Sequence, residues 1–183
     1  LYTAMEVIDG KCRLDQALIR DKRWKNLALL PISKNRQRYN VNRTGMENLV
    51  KSIQDLGYHY ILIDCPAGID VGFMNAITPA KEAVIVTTPE ITAIRDADRV
   101  TGLLESNNIF NVKLLINRVR PDMIKRNDMM SVKDVQEMLS IPLLGAVPED
   151  TNVIVATNRG EPLVLRKKLT LSGIAFENAA RRL

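Results

Sequence analysis

Histidine, cysteine and glycine-rich loops are what this chain has little of, and each scarcity removes a class of chemistry. The single histidine, His59, leaves nothing from which to build a histidine metal cluster or a Ser-His-Asp triad; it reads as a residue leading into a strand. Two cysteines, Cys12 and Cys65, are too few for a disulfide framework. Cys65 follows an apolar run, so a small core residue is expected there rather than a reactive thiol. Nine glycines are present, yet none stands in the G-x-x-x-x-G-K-S/T arrangement that cradles phosphates. No apolar run approaches the roughly 18–20 residues needed to cross a bilayer. The first ten residues lack the n-region and h-region of a signal peptide, and a start at Leu1 rather than Met suggests processing or a piece of a longer protein.

What remains is an ordinary globular composition: 183 residues, 46% hydrophobic and 26% charged, enough for one domain with a substantial core. The net charge of +5 is unevenly placed. Residues 1–60 hold 11 Lys/Arg against 6 Asp/Glu, and residues 61–183 hold 15 of each. The excess gathers at Arg20, Lys22, Arg23 and Lys25, then at Lys34, Arg36, Arg38 and Arg43. Such a run is either a solvated mixed-charge surface or a face drawn to nucleic acid or anionic lipid.

From about residue 46 the pattern alternates between helical and strand periods. Leu49, Val50, Ile53 and Leu56 recur at helical spacing, and Gly57 closes that segment. Tyr60–Asp64 is predicted as a buried strand, and 83–87 as a second ended by Pro89. A helix follows with Ala93, Ala97, Val100 and Leu104 on one stripe and Thr92 as its N-cap. Val112–Ile116 is a third strand. Ser131 opens a helix with Asp134 three residues on, as in a capping box, and Val132, Val135, Met138 and Leu139 inward. Residues 142–147 form a fourth strand, and 171–183 a last helix packed through Ile174, Phe176 and Ala180. The first 45 residues predict a short helix near 14–19, a strand at 27–30 and a polar loop at 33–44. Strand and helix in this alternation mean βαβ units and a mostly parallel sheet, whose ligands bind outside the carboxyl ends of the strands.

Those carboxyl ends carry the chemistry. Asp64-Cys65-Pro66-Ala67-Gly68, Thr87-Thr88-Pro89-Glu90, Asn117-Arg118 and Pro148-Glu149-Asp150 each place polar, turn-forming residues directly after an apolar run. Asp64 can hold Mg²⁺ directly or through water, since hard cations take oxygen ligands. Gly68 offers a backbone N–H that a phosphate can approach without a side chain in the way. Asn117 carries a donor and acceptor that match an adenine edge, and Arg118 a planar guanidinium that can lie across the base. Asp at a strand end and an Asn-Arg pair are common separately; together along one chain they point to a nucleotide site.

The segment Asp64–Asp70 resembles the Walker B and switch II segment of the ParA/MinD family of deviant P-loop ATPases. The stretches 14–22, 94–99, 128–132, 148–150 and 157–162 extend the likeness, which runs from Leu1 to Leu183. The wording of 120–125 and 134–139 is similar to the plastid and cyanobacterial branch. The resemblance implies one α/β domain over residues 1–183, a P-loop NTPase-like, mostly parallel sheet flanked by helices but without its P-loop strand. It implies ATP and Mg²⁺ as cofactors, with Asp64 supporting the metal through water and Gly68 sensing the γ-phosphate beside Pro66 and Ala67. Asn117 and Arg118, with Pro148, Glu149 and Asp150, flank the adenine. Asp70, Glu90, Arg95, Asp96 and Asp98 lie on a partner or dimer surface, although for Arg95, Asp96 and Asp98 a solvated helix face is the plainer reading of the residues themselves.

In role the resemblance implies an ATP-dependent homodimer that places a division septum. Its partners are MinC-like and MinE-like or plastid division proteins, and an anionic membrane reached through a C-terminal basic helix. The expected place is the chloroplast stroma, peripheral on the inner envelope, or else the bacterial cytoplasm and inner membrane. The family's Gly-rich loop, switch I and membrane helix are not in this sequence, so no catalytic set is complete. The chain alone is expected neither to hydrolyse ATP nor to bind it tightly, and to leave a strand edge and an apolar face uncovered. A ParA-like DNA-segregating ATPase and a non-catalytic interaction protein are the alternatives, although nucleic acid is not the expected partner.

Overall fold

A computed structural model describes residues 2–32, 43–65 and 68–183. They fall into two compact units, residues 1–80 and 81–183. The polar loop expected at 33–44 lies outside the described residues except at its end, where Arg43 and Thr44 already belong to a helix.

In the first unit, α1 (Ala4–Ile8) starts where Thr3 donates its backbone N–H to Glu6 Oε2 at 2.7 Å. A one-turn α2 (Leu14–Ala17) leads into an antiparallel pair of two-residue strands, β1 (Ile19–Arg20) and β2 (Ala28–Leu29). The strand expected at 27–30 is thus present but short. Helix α3 (Arg43–Asp55) buries Met46 and Leu49 against Ala4, with Met5, Leu14, Leu30 and Ile53 packed around them. Gly57 follows at φ +87, a left-handed turn that glycine adopts without strain. Helix α4 (Val71–Ile77) buries Phe73, Ala76 and Ile77.

The run 60–64 is not a strand. Its side chains keep the period of two, with Ile61 and Ile63 half-buried, but Tyr60 is 74% and Leu62 82% exposed. A strand exists only where a neighbour accepts its ladder, and no described residue pairs with this segment. Cys65 is exposed with it, so its expected place in the core is corrected for the same reason. Its thiol is nonetheless pushed above its usual range, first by partial desolvation and then by the Asp64 carboxylate, which keeps it protonated and unreactive.

The second unit is the parallel sheet. Strands β3 (Glu82–Thr87), β4 (Asn111–Val119) and β5 (Leu143–Pro148) lie in that order, all parallel. Ile85 is paired with Leu114, and Thr87 with Ile116. All four are buried, Leu114 and Ile116 completely. Helix α5 (Ile91–Ser106) packs on β3, α7 (Val132–Leu139) on β4, and the two helices meet each other. A short α6 (Pro121–Lys125) lies between β4 and α7. Helix α5 buries Ile94 as well as Ala97 and Leu104, and its N-cap is Glu90 rather than the expected Thr92. The capping box at Ser131 forms as read, with Asp134 N–H donating to Ser131 Oγ at 3.1 Å and Ser131 N–H to Asp134 Oδ2 at 3.0 Å. Val135 and Leu139 point inward; Met138, expected with them, is exposed.

On the opposite face, α9 (Leu171–Arg182) packs on β5. Gly145 makes that approach close: a Cβ there would lie 3.5 Å from both Ala179 Cβ and Leu115 Cδ1. The buried face of α9 is Ser172, Gly173 and Ala179, so the expected Ile174 and Ala180 turn outward. Lys113 Nζ donates to the carbonyls of Arg182 and Leu183, and Arg182 Nη1 to Leu144 O at 3.0 Å, which seats the end of the helix. Between β5 and α9 run α8 (Thr151–Arg159) and a 3-10 turn (Leu163–Leu165). On β3 this face is uncovered, with Val86 58% exposed, and the outer edge of β3 pairs with no described strand.

Candidate nucleotide site

The expected site residues divide between the two units, and each part is described by itself. In the first unit, Asp64 ends the extended segment and is exposed, and Pro66 and Ala67 lie outside the described residues. Gly68 has φ +96, a left-handed backbone that disfavours any side chain, and no atom lies within 4 Å of where a Cβ would stand. Its backbone is therefore open to an approaching ligand. Asp70 is the N-cap of α4, accepting the N–H groups of Gly72 at 2.9 Å and Phe73 at 3.3 Å.

In the second unit the chain builds a more complete arrangement. Between Ile116 and Val119, β4 advances three residues while β5 advances two, from Ala146 to Pro148. The extra residue is absorbed by a bulge in which Arg118 takes φ +56. A non-glycine residue there costs on the order of 1 kcal/mol. Bulges re-aim side chains at the rim of a sheet, and this one turns Asn117 and Arg118 out of the ladder. Asn117 Oδ1 accepts the Arg118 N–H at 2.9 Å, while its Nδ2 has no partner among the described residues. Arg118 reaches across to Glu149, with Nη2 at 3.0 Å and Nε at 3.3 Å from Oε1. Glu149 itself stays in register, its N–H donating to Val119 O at 2.9 Å.

The pairing extends into a surface chain of alternating charge. Glu149 Oε2 lies 3.6 Å from Arg120 Nε, Arg120 Nη2 3.0 Å from Asp122 Oδ2, and Arg126 bridges Asp122 and Asp128. The Arg120 hydrogen bond chiefly holds the Asp122 carboxyl below its usual range. These groups are exposed, so they orient one another more than they stabilise the fold. A groove of about 310 Å³ runs along Arg120, Pro121, Asp122, Glu149, Asp150 and Ile154. Arg120, Asp122 and Arg126 were not singled out as site residues from the sequence; Arg118 and Arg120, two apart at a strand end, were the available signal.

Asp150, which lines that groove, also serves the backbone. It is the N-cap of α8, and Oδ1 accepts both the Asn152 N–H at 2.8 Å and Asn152 Nδ2 at 2.9 Å. The Thr170 hydroxyl is the leading cause of its depressed pKa, followed by these two donors. Glu90 precedes α5, and Arg95, Asp96 and Asp98 lie along the helix, all exposed, with Asp96 3.6 Å from Arg99.

Donor chemistry tests the expected cofactors. No three His, Cys, Asp or Glu among the described residues converge on a metal position. Mg²⁺ keeps most of its waters and needs only one or two carboxylates, so a lone exposed Asp64 fits it. An amide edge and a guanidinium plane at adjoining strand ends fit a purine base.

Comparisons with known proteins bear on this arrangement. The ParA family model, described as NUBPL iron-transfer P-loop NTPase, matches residues 38–183. A septum site-determining protein MinD of Chlorella vulgaris is 79% identical over 183 residues, all of this chain and 65% of that protein. The chloroplastic homologue of Arabidopsis thaliana is 61% identical with 57% of its length covered, and the Synechocystis protein 51% identical with 68% covered. The chain thus spans between about half and two thirds of the length of these relatives. Among solved structures, the MinC:MinD cell division protein complex of Aquifex aeolicus matches with TM-score 0.90 at 40% identity, over all of this chain and 72% of that one. The septum site-determining protein MinD of Pyrococcus horikoshii, complexed with Mg-ADP, matches with TM-score 0.82 at 26% identity, over 98% of this chain and 72% of that one.

Proposed function

The chain belongs to the MinD septum site-determining proteins of the ParA family of P-loop NTPases, and from that premise we propose that it serves division-site placement as an ATP-dependent dimer recruited to a membrane. The observation that carries the reading furthest is the bulge at Arg118, which puts an amide, a guanidinium and the Glu149 carboxylate together at the carboxyl ends of β4 and β5. There Asn117 would read the adenine edge, and Arg118, held by Glu149, would lie against the ring, with Pro148 lending its backbone. Asp64 would hold Mg²⁺ through water, and the metal would neutralise phosphate charge. The Gly68 N–H, next in sequence after Pro66 and Ala67, would meet the γ-phosphate. The Mg-ADP complex of the Pyrococcus protein supports this use of nucleotide and metal.

Partner recognition falls to the exposed charges at Asp70, Glu90, Arg95, Asp96 and Asp98, and the Aquifex MinC:MinD complex supports a MinC-like partner. A MinE-like protein and an anionic membrane complete the proposed set. Residues 1–183 are read as belonging to one ATPase domain, working in the chloroplast stroma against the inner envelope, as the plastid relatives suggest, or in a bacterial cell.

Phosphoryl transfer depends on lysines and backbone amides of a phosphate loop, and the sequence holds no such motif. The 183-residue chain by itself is therefore proposed to be inactive. Isothermal titration with Mg-ATP tests this, the expected result being affinity weaker than micromolar and micromolar binding overturning it. Capture of a MinC or MinE homologue, lost on reversing Asp96 and Asp98, supports the division reading; a salt-sensitive DNA shift without such capture replaces it with DNA segregation.

A further inference from the structure

Ser172 has a fully buried side chain, which neither the sequence reading nor the proposed site uses. A hydroxyl without water needs a partner inside the protein, and Ser172 Oγ donates to Pro148 O at 2.9 Å. Pro148 is the last residue of β5 and the first of the loop 148–150. Two residues further on, the Asp150 carboxyl is lowered chiefly by the Thr170 hydroxyl, whose Oγ1 accepts the Gly173 N–H at 3.2 Å as the N-cap of α9. Asn152, bonded to Asp150, is fixed on its other side by Arg166 Nη1 at 3.2 Å. The Pro148 end of the loop is thus tied to the start of α9, with the Glu149 side chain left to face Arg118.

We propose that Ser172 is a positioning residue for the loop Pro148–Asp150, tying it to the first turn of α9 so that occupancy beside Glu149 and the order of that turn are coupled. This rests on the reading of the strand ends as a base site. Ser172 touches no ligand in this arrangement; it acts through the Pro148 carbonyl.

The test is residue-resolved amide exchange on the whole 183-residue chain, with and without millimolar Mg-ADP, for wild type and Ser172→Ala. Alanine fits the site, so the sheet should persist. In the variant, exchange is expected to quicken about tenfold at Asn152 and Gly173 and stay unchanged at Leu114 in the centre of β4. In the wild type, Mg-ADP is expected to shift the Glu149 and Arg118 resonances and to slow exchange at Gly173. In Ser172→Ala the Gly173 response should be lost. Unchanged exchange at Asn152 and Gly173 overturns the proposal, as does a uniform rise that includes Leu114. So does a wild type in which Mg-ADP shifts Glu149 but leaves Gly173 unaffected. If Mg-ADP moves nothing near Glu149 while Ser172→Ala still loosens Asn152 and Gly173, the tie stands and the base-site reading falls. Asp150→Asn, which keeps one acceptor oxygen but not the charge, should loosen the same two amides less than Ser172→Ala does.

Discussion

Asp150, Asp134 and Asp122 share a property: each carboxyl is held below its usual range, with Thr170, Ser131 and Arg120 respectively as the leading cause. A depressed folded pKa means stability that is present above the ordinary carboxylate range of about 4 and lost as pH falls through the folded value. Urea melts from pH 7 to 3 should show that loss, and Asp150→Asn should flatten its share of the slope. Ser131→Ala removes the cap of α7 and is expected to cost about 1 kcal/mol, read from the same melts. Leu114→Ala, at a completely buried position, should cost about 2–5 kcal/mol. That Asn117, Arg118 and Glu149 meet at adjoining strand ends was legible from their places after apolar runs. Ser172 was not, because a serine two residues after a threonine reads as one more helix-start residue until the fold brings Pro148 O to it.

Among the elements, β3 is the least finished. Its buried side, Ile85 and Thr87, is covered through α5, while Val84 and Val86 face outward beside an unpaired backbone edge. Val86→Lys should therefore change stability by less than about 1 kcal/mol and reduce self-association in sedimentation runs, since charge on an exposed strand edge opposes pairing with another chain. Ile85→Lys places the same charge in the core and should abolish the cooperative transition. The exposed edge and apolar face were expected from the sequence. The run 60–64 teaches the complementary lesson. Its residues have the alternation and β-branched content of a strand, but propensity makes a strand only in company with a ladder, and none of the described residues supplies one.

For the molecule as a whole, the unevenness between the units sets an order of opening. Residues 81–183 hold the three-stranded sheet with helices on both faces, whereas among the described residues of 1–80 the strands are one two-residue pair beside helices α1 to α4. Native-state hydrogen exchange should find the slowest amides at Leu114 and Ile116 and the fastest among 58–65. The sequence by itself determined the α/β class, the parallel order of alternating elements, the capping box at Ser131 and the strand-end residues of the candidate nucleotide site. These follow from local periodicity and from the chemistry of a few side chains, which the chain carries wherever it folds. Tertiary structure alone decided that 60–64 stays unladdered and that Arg118 takes a left-handed bulge toward Glu149. It also decided that Ser172 meets the Pro148 carbonyl, because each of these depends on a partner remote in sequence or on register between strands.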